Sequence, residues 1–146
     1  MSLVIAIADA VVAVLKAEPL KLDAVRAYRP EFELPELKTL RVSVVPQGIE
    51  ITSLNRSVNQ HDVSIDVAVQ KKVDPANHAV LDSLMTQVQQ IADELRLRRL
   101  DLPGNGSGGG TAIWIKTENS PIYSTDHLQT KQVFTSVLTF TFRVAR

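Results

Sequence analysis

The C-terminal stretch 133–144 alternates between two kinds of side chain, and this pattern constrains the fold more than any other part of the chain. Large apolar residues recur at every second position with a single serine among them, and threonine and arginine fill most of the intervening positions. Period-two alternation of aromatic and β-branched residues is typical of a strand that buries one face. The sequence therefore predicts a long final strand whose buried face holds Phe134, Ser136, Leu138, Phe140, Phe142 and Val144.

Two earlier segments alternate in the same way. Residues 40–45 place Leu40, Val42 and Val44 on one face, and residues 62–70 place a second aliphatic series on one face: Val63, Ile65, Val67 and Val69. Residues 46–48 read Pro-Gln-Gly, which is typical of a turn, and residues 49–52 are a candidate continuation of the sheet. Shorter strands are predicted at 24–29 and 111–116.

Two helices are predicted. Residues 3–17 are apolar around nearly the whole circumference, too short to span a bilayer and unlike a signal peptide, so we expect a helix covered by the sheet or by another subunit. Asp74-Pro75 is a helix-start signature, and an amphipathic stripe follows it up to the basic residues Arg96, Arg98 and Arg99. Its apolar positions are Leu81, Leu84, Met85, Val88, Ile91, Ala92 and Leu95.

The order of these segments predicts the fold class. A helix precedes a group of strands, and the long second helix precedes two more strands, giving the order α-β-β-β-α-β-β. Strands that come in groups favour an α+β fold with a mainly antiparallel sheet against which both helices pack. No internal repeat or second hydrophobic pattern is present, so we expect one domain over residues 1–146.

The glycine-rich segment 103–111 contains Gly104, Gly106 and Gly109 at the G-x-G-x-x-G spacing of dinucleotide-binding loops. Such loops need a strand before the glycines and a helix after them, because the helix N-terminus binds the pyrophosphate. Here the predicted order is helix, glycines, strand, and no Gly-Lys-Ser/Thr follows. We therefore interpret the segment as a flexible loop.

No catalytic or metal-binding pattern is found, and we expect the chain not to be an enzyme and to need no cofactor or metal. The histidines His61, His78 and His127 lack metal-ligand spacing, and the chain has no cysteine. Ser124, Asp126 and His127 are triad residue types without a nucleophile elbow. Lysine plus arginine equals aspartate plus glutamate at 16 each, so no overall charge favours nucleic acid.

Three segments carry a resemblance to a known group of proteins. They are AVRAYRPEFELPELKTLRVSVVP, DVSIDVAVQKKV and KTENSPIYSTDHLQTKQVFTSVLTFTFRV, and together they span most of the chain in order. This sequence resembles small neck and tail proteins of tailed bacteriophages and prophages, and among them the tail-terminator, or tail-completion, group. The glycine run looks like a local insertion relative to that group.

The resemblance implies a structural role in the virion. Tail terminators form a ring, typically of six subunits, that caps the tail tube and joins it to the head connector, and DNA passes through its lumen without sequence-specific binding. The implied partners are thus further copies of the chain, tail-tube and head-connector proteins, with assembly in the bacterial cytoplasm and no membrane. The alternatives are another head-tail joining protein (head completion or stopper), a tail-tube subunit, or a small-molecule-binding domain or enzyme.

The polar loop 55–61, the glycine loop and the exposed ends of the sheet are hypothesised to contact other subunits. Both loops are long and polar, and neither is needed to close a hairpin in this interpretation. The arginines at the end of the second helix are hypothesised to line the lumen because of their charge. The candidate interface residues are Asn55, Arg56, Asn59, His61, Asp62, Gly106 and Gly108, and the candidate lumen residues are Arg96, Arg98 and Arg99.

Overall fold

A computed structural model describes residues 2–17, 20–28, 39–102, 110–119 and 122–145. Within them the order of elements is α-β-β-β-α-β-β-α-β, which is the predicted order with one additional strand and one additional short helix. The elements are α1 (Leu3–Lys16), β1 (Ala24–Arg26), β2 (Arg41–Ser53), β3 (Asn59–Lys72), α2 (His78–Leu95), β4 (Arg99–Leu102), β5 (Gly110–Glu118), α3 (Thr125–Lys131) and β6 (Val133–Ala145).

The strands form one six-stranded sheet in the order β1-β2-β3-β6-β5-β4. Every pair of neighbours is antiparallel except β1 and β2, which are parallel, so the prediction of an α+β fold with a mainly antiparallel sheet is confirmed. The three longest strands, β2, β3 and β6, lie side by side at the centre. β3 and β4 follow one another in sequence but are not neighbours in the sheet, because β6 and β5 lie between them.

One face of the sheet, here called the helix-covered face, packs against α1 and α2. The predicted alternation is confirmed, because Ile65 of β3 lies opposite Phe140 of β6 and Val67 lies opposite Leu138. Buried residues of both helices join these strands in one hydrophobic core. The opposite face, here called the polar face, carries Asp62, Ser64 and Asp66 of β3 between the aliphatic positions. The core members from the helices are Leu3, Ala6, Ile7, Ala8, Val11 and Leu15 of α1, and Leu84, Val88, Ile91 and Leu95 of α2.

The predicted turn at residues 46–48 is wrong, because β2 runs without interruption from Arg41 to Ser53. Instead of turning, the chain makes a register shift: Pro46 lies opposite Ile65 of β3 and Gly48 lies opposite the next residue, Ser64. Gln47 is therefore the extra residue of a β-bulge. Proline has no N–H to donate to the ladder and is tolerated at bulges, which explains why the turn-like sequence remains within a strand.

The boundaries of α2 also differ from those predicted. Asp74 and Pro75 belong to a turn, in which the Asp74 carboxylate accepts from Ala76 N–H at 3.0 Å, and the N-cap is Asn77, whose side chain accepts from Val80 N–H at 3.3 Å. The helix ends at Leu95, because Leu97 takes a left-handed conformation with φ of 60°. The last arginine of the basic run thereby begins β4, the strand that was not predicted.

The glycine-rich segment falls mostly outside the described residues. Gly110 and Thr111, which were placed in the flexible loop, form the start of β5 and pair with Leu102 and Asp101 of β4. Gly110 has φ of 139°, a conformation that glycine reaches without strain. Because a strand follows the glycines, the helix required by a dinucleotide-binding loop is not present at that position. Whether the segment is flexible, and whether residues 1–146 form one domain, stay predictions.

Candidate assembly surface

The β2–β3 hairpin extends past the part of the sheet that the helices cover. Every residue from Gln47 to Ser57 is exposed, although residues up to Ser53 and from Asn59 onward are paired in an antiparallel ladder. On the helix-covered side of this ladder lie Ile49 and Ile51, and Leu54 follows at the tip. The hairpin thus presents an apolar side that none of the described helices covers.

Asn55 holds the tip of this hairpin together. Its side-chain oxygen accepts from the backbone N–H groups of Ser57 at 2.9 Å and Val58 at 3.0 Å. The N–H groups of Leu54 and Asn55 both donate to the Val58 carbonyl at 3.0 Å. This arrangement is an Asx-type turn, in which a short polar side chain replaces missing backbone hydrogen bonds. The expectation that this polar loop is not needed to close a hairpin is therefore wrong.

The candidate residues around the tip do not share one surface. Arg56 is exposed in the turn and Asn59 is paired opposite Ser53. His61, by contrast, is buried on the helix-covered face, where it lies between Ile51 and Val144. Its Nδ1 atom has no hydrogen-bond partner among the described residues. The structure thus contradicts the placement of His61 in a solvent-exposed loop, because the strand register turns this side chain toward the core.

Asp62 lies on the polar face and forms a bidentate contact with the guanidinium of Arg143. Arg143 donates from Nε to Oδ1 at 2.8 Å and from Nη2 to Oδ2 at 3.2 Å. These hydrogen bonds lower the pKa of the Asp62 carboxyl below its usual value, against the opposing effect of desolvation. Four residues along β3, Asp66 accepts from the Thr139 hydroxyl at 2.7 Å. Both carboxylates therefore link β3 to β6 across the sheet.

The three candidate lumen arginines have different environments. Arg98 is bound to Glu94, because its guanidinium donates to the Glu94 carboxylate and, at 3.1 Å, to the Glu94 carbonyl. Arg96 follows α2 directly and is exposed. Arg99 begins β4 opposite Ile113 of β5 and is also exposed. Among the described residues neither Arg96 nor Arg99 has an acidic partner.

The residues of the triad type have structural roles. Ser124 caps α3 by accepting from His127 N–H at 3.3 Å, and the Nδ1 atom of His127 lies 3.0 Å from the Thr135 hydroxyl. An open groove of about 260 Å³ is lined by Leu20, Gln90, Asp93 and Glu94, which do not form a nucleophile–base pair. Within the described ranges no group of three or more His, Cys, Asp or Glu side chains is arranged to hold a metal ion.

Sequence reasoning missed the apolar residues that the structure leaves exposed. Most of them belong to the two outermost strands at either end of the sheet or to the turns beside them. The alternation Ile-Glu-Ile-Thr at 49–52 was visible in the sequence, but only the packing of the helices reveals that none of them covers the isoleucines. The exposed large apolar residues are Val25, Tyr28, Ile49, Ile51 and Leu54 at the β1–β2 edge, Leu97 and Ile113 at the β4–β5 edge, and Ile122 in the connection to α3.

Comparison with known proteins gives a structural neighbour. The fold matches a chain described as "Virion of native gene transfer agent (GTA) particle" with a TM-score of 0.65, covering 97% of this chain and 96% of the matched chain. The likeness extends over the whole fold, and because the two sequences are only 15% identical it is a likeness of fold alone. No family model matches the sequence, and no curated protein matches it. No helix in the described part of the chain combines the length and apolarity that a membrane span requires.

Proposed function

We propose that this chain is a structural virion protein of the tail-terminator class, which forms a ring, typically of six copies, at the head-proximal end of a tail tube. The observation that carries the proposal is the end-to-end match to a chain of a gene transfer agent virion, a phage-like particle. A match that covers nearly all of both chains concerns the entire architecture and not one common substructure. The implied partners are tail-tube and head-connector proteins, and DNA passes through the ring.

The surface of the described residues supports an assembly role over a catalytic one. Apolar side chains are exposed at both edges of the sheet, where contacts between subunits usually form. The histidine and serine that suggested chemistry in the sequence are engaged in capping and in a hydroxyl contact. We accordingly propose that the chain has no catalytic activity and acts through binding alone.

The proposal is tested by deleting the gene from the genome that encodes it and examining the particles by electron microscopy. A tail terminator is expected to leave tail tubes of uncontrolled length that are not joined to heads, and a plasmid copy is expected to restore uniform, joined tails. Tails of normal length attached to heads would contradict the proposal.

The same experiment separates the alternative of another virion joint. The structural match alone does not distinguish a terminator from a stopper or a tube subunit, because all are small virion proteins. Loss of a stopper leaves tails of normal length that are not joined to heads, whereas loss of the tube subunit leaves no tube. Each alternative thus predicts a particle that differs from the one expected for a terminator.

A further inference from the structure

We propose that the copies in the ring contact one another edge to edge, with the β2–β3 hairpin of one copy docked on the β4–β5 edge of the next. This inference rests on the proposed ring. The hairpin surface consists of Ile49 and Ile51 on the helix-covered side, Glu50 on the polar side and Leu54 at the tip. The receiving surface consists of Arg96, Leu97, Arg99 and Ile113. The occupant of the hairpin surface is therefore a second copy of this chain.

The hairpin surface is built for contact with a partner. It keeps the strict alternation of a half-buried strand, Ile-Glu-Ile-Thr, in a region where the described residues leave much of both isoleucine side chains exposed. Ile51 exposes 55% of its surface, and Leu54 at the tip is similarly exposed. Asn55 fixes the tip with two backbone hydrogen bonds, so the apolar side is presented on a preformed hairpin.

Backbone groups at the same edge also lack a neighbour. The short strand β1 pairs with β2 only along the stretch from Val42 to Val44. From Pro46 to Ser53 the outer side of β2 has no strand partner among the described residues. An unpaired strand edge with apolar side chains is a template for pairing with another chain.

Leu97 in the receiving surface is both exposed and conformationally strained, which supports a role in binding independently of the hairpin. Leu97 exposes 72% of its surface and has φ of 60°, although the position after a helix with this conformation normally holds glycine or asparagine. The left-handed backbone and the exposed side chain of Leu97 both cost free energy, and no contact within the isolated chain offsets that cost among the described residues. Nearby, the Arg98 carbonyl accepts from Trp114 N–H at 3.2 Å, which ties this turn to β5, where Ile113 is exposed.

The two surfaces also carry opposite charges. Glu50 lies opposite Asp62 on the polar face of β2, and Arg99 lies on the polar face of β4, because its partner Ile113 is itself opposite Arg143. Arg96 directly precedes Leu97. None of Glu50, Arg96 and Arg99 forms an ion pair with another described residue. Because the surfaces are at opposite edges of one sheet, the contact is head to tail, which is the arrangement that closes into a ring. This places Arg96 and Arg99 between subunits and not in the lumen.

The test uses Ile51→Asp and Leu97→Asp variants of the full chain, with molar mass measured by light scattering over a range of concentrations. Wild type is expected to form a discrete oligomer near six times the 16.1 kDa chain. Each variant is expected to need at least ~30-fold more protein for half-assembly, the effect of losing one interface hot spot. Circular dichroism and the urea midpoint establish that the variants fold.

Two controls make the test specific. Ile122→Asp changes the same residue type at the same 55% exposure, but in the connection between β5 and α3 and outside both proposed surfaces, and is expected to keep the ring. A mixture of the Ile51→Asp and Leu97→Asp chains retains one intact contact between unlike chains. It is therefore expected to give a heterodimer, at twice the chain mass, and to stop there.

Several results would overturn the inference. Rings that survive both substitutions, a ring lost equally in Ile122→Asp, or a mixture that gives no heterodimer would each contradict edge-to-edge docking. A wild-type chain that stays monomeric at every concentration would also refute contact between copies. In that last case a deletion phenotype of overlong tails would still support the terminator function, so the two proposals fail separately.

Discussion

Replacing His61 by leucine is expected to stabilise the isolated chain, which makes it a direct test of how the hairpin base is packed. The imidazole is 8% exposed and lies between Ile51 and Val144, and its Nδ1 has no hydrogen-bond partner among the described residues. A buried polar atom without a partner costs about 1–3 kcal/mol. Leucine removes that cost and retains a side chain of similar bulk at the site.

The net gain is smaller than the full desolvation cost. Leucine differs in shape from the imidazole, and an imperfect fit at a packed site removes part of the gain. We therefore expect His61→Leu to raise the free energy of unfolding by about 1–2 kcal/mol. With a urea dependence of roughly 2 kcal/mol per molar for a small domain, the midpoint should rise by about 0.5–1 M.

The assay is urea unfolding followed by fluorescence of the single tryptophan, Trp114. Because assembly raises apparent stability by mass action, the measurement belongs at concentrations where the midpoint no longer depends on protein concentration. His78→Leu, at the exposed first residue of α2, is the matched control and is expected to change stability by less than about 0.5 kcal/mol. A His61→Leu chain that is less stable than wild type would refute the reasoning, since it would mean that the imidazole makes a favourable contact.

Three further predictions concern stability. Phe140→Ala should lower the free energy of unfolding by about 3–5 kcal/mol, because the ring is fully buried at the centre of β6. Asn55→Ala should lower it by about 1 kcal/mol, the size of a lost capping interaction, and should loosen the hairpin tip in hydrogen exchange. Arg143 lowers the pKa of Asp62 in the folded chain below the unfolded value near 3.8. The ion pair therefore stabilises the fold at pH values above 3.8, and this stabilisation is lost as the pH falls from 3.8 through the lower folded pKa.

Each of these predictions has its own control. Ile122→Ala should leave stability nearly unchanged, and a comparable loss there would contradict the assignment of Phe140 to the core. Ser57→Ala, which keeps the N–H groups that Asn55 accepts from, should not loosen the tip. Asp62→Asn should reduce the loss of unfolding free energy at acidic pH by about 0.2–1 kcal/mol, since this pair is partly solvent-exposed. An unchanged pH profile of stability would contradict the assigned linkage.

The sequence predicted the central sheet because its strands are long and one-sided. Phe140 and Ile65 belong to segments whose period-two pattern has few alternatives, and both lie where the pattern places them. β4 was not predicted because Arg99–Leu102 is a short strand whose partner in β5 lies beyond the glycine-rich segment. The end of α2 was misplaced because Leu97 adopts the left-handed conformation that usually ends a helix at glycine or asparagine, and neither residue is present there.

The candidate site was harder to predict because it depends on which parts of the sheet the helices cover. His61 looked like part of a polar loop in the stretch 55–61, yet the register with Ile51 turns it inward. Residues 49–52 were predicted only as a candidate continuation of the sheet, and their alternation resembles the one that correctly placed Val42 and Val44 on a buried face. The helices cover Val42 and Val44 but not Ile49 and Ile51. Where this coverage ends depends on tertiary packing, which the local periodicity of the sequence does not reveal.

The twist of the sheet bears on whether edge-to-edge contacts close. Neighbouring strands rotate by roughly 20–25° each, so the outer strands of a sheet of this size point in very different directions. Successive copies joined at opposite edges are therefore rotated with respect to one another and cannot extend as a flat ribbon. A rotated head-to-tail contact either closes into a ring or continues as a helical filament. A molar mass that reaches a plateau with rising concentration is the result expected for a terminator, and a mass that grows without limit would instead assign the same two edges to a tube subunit.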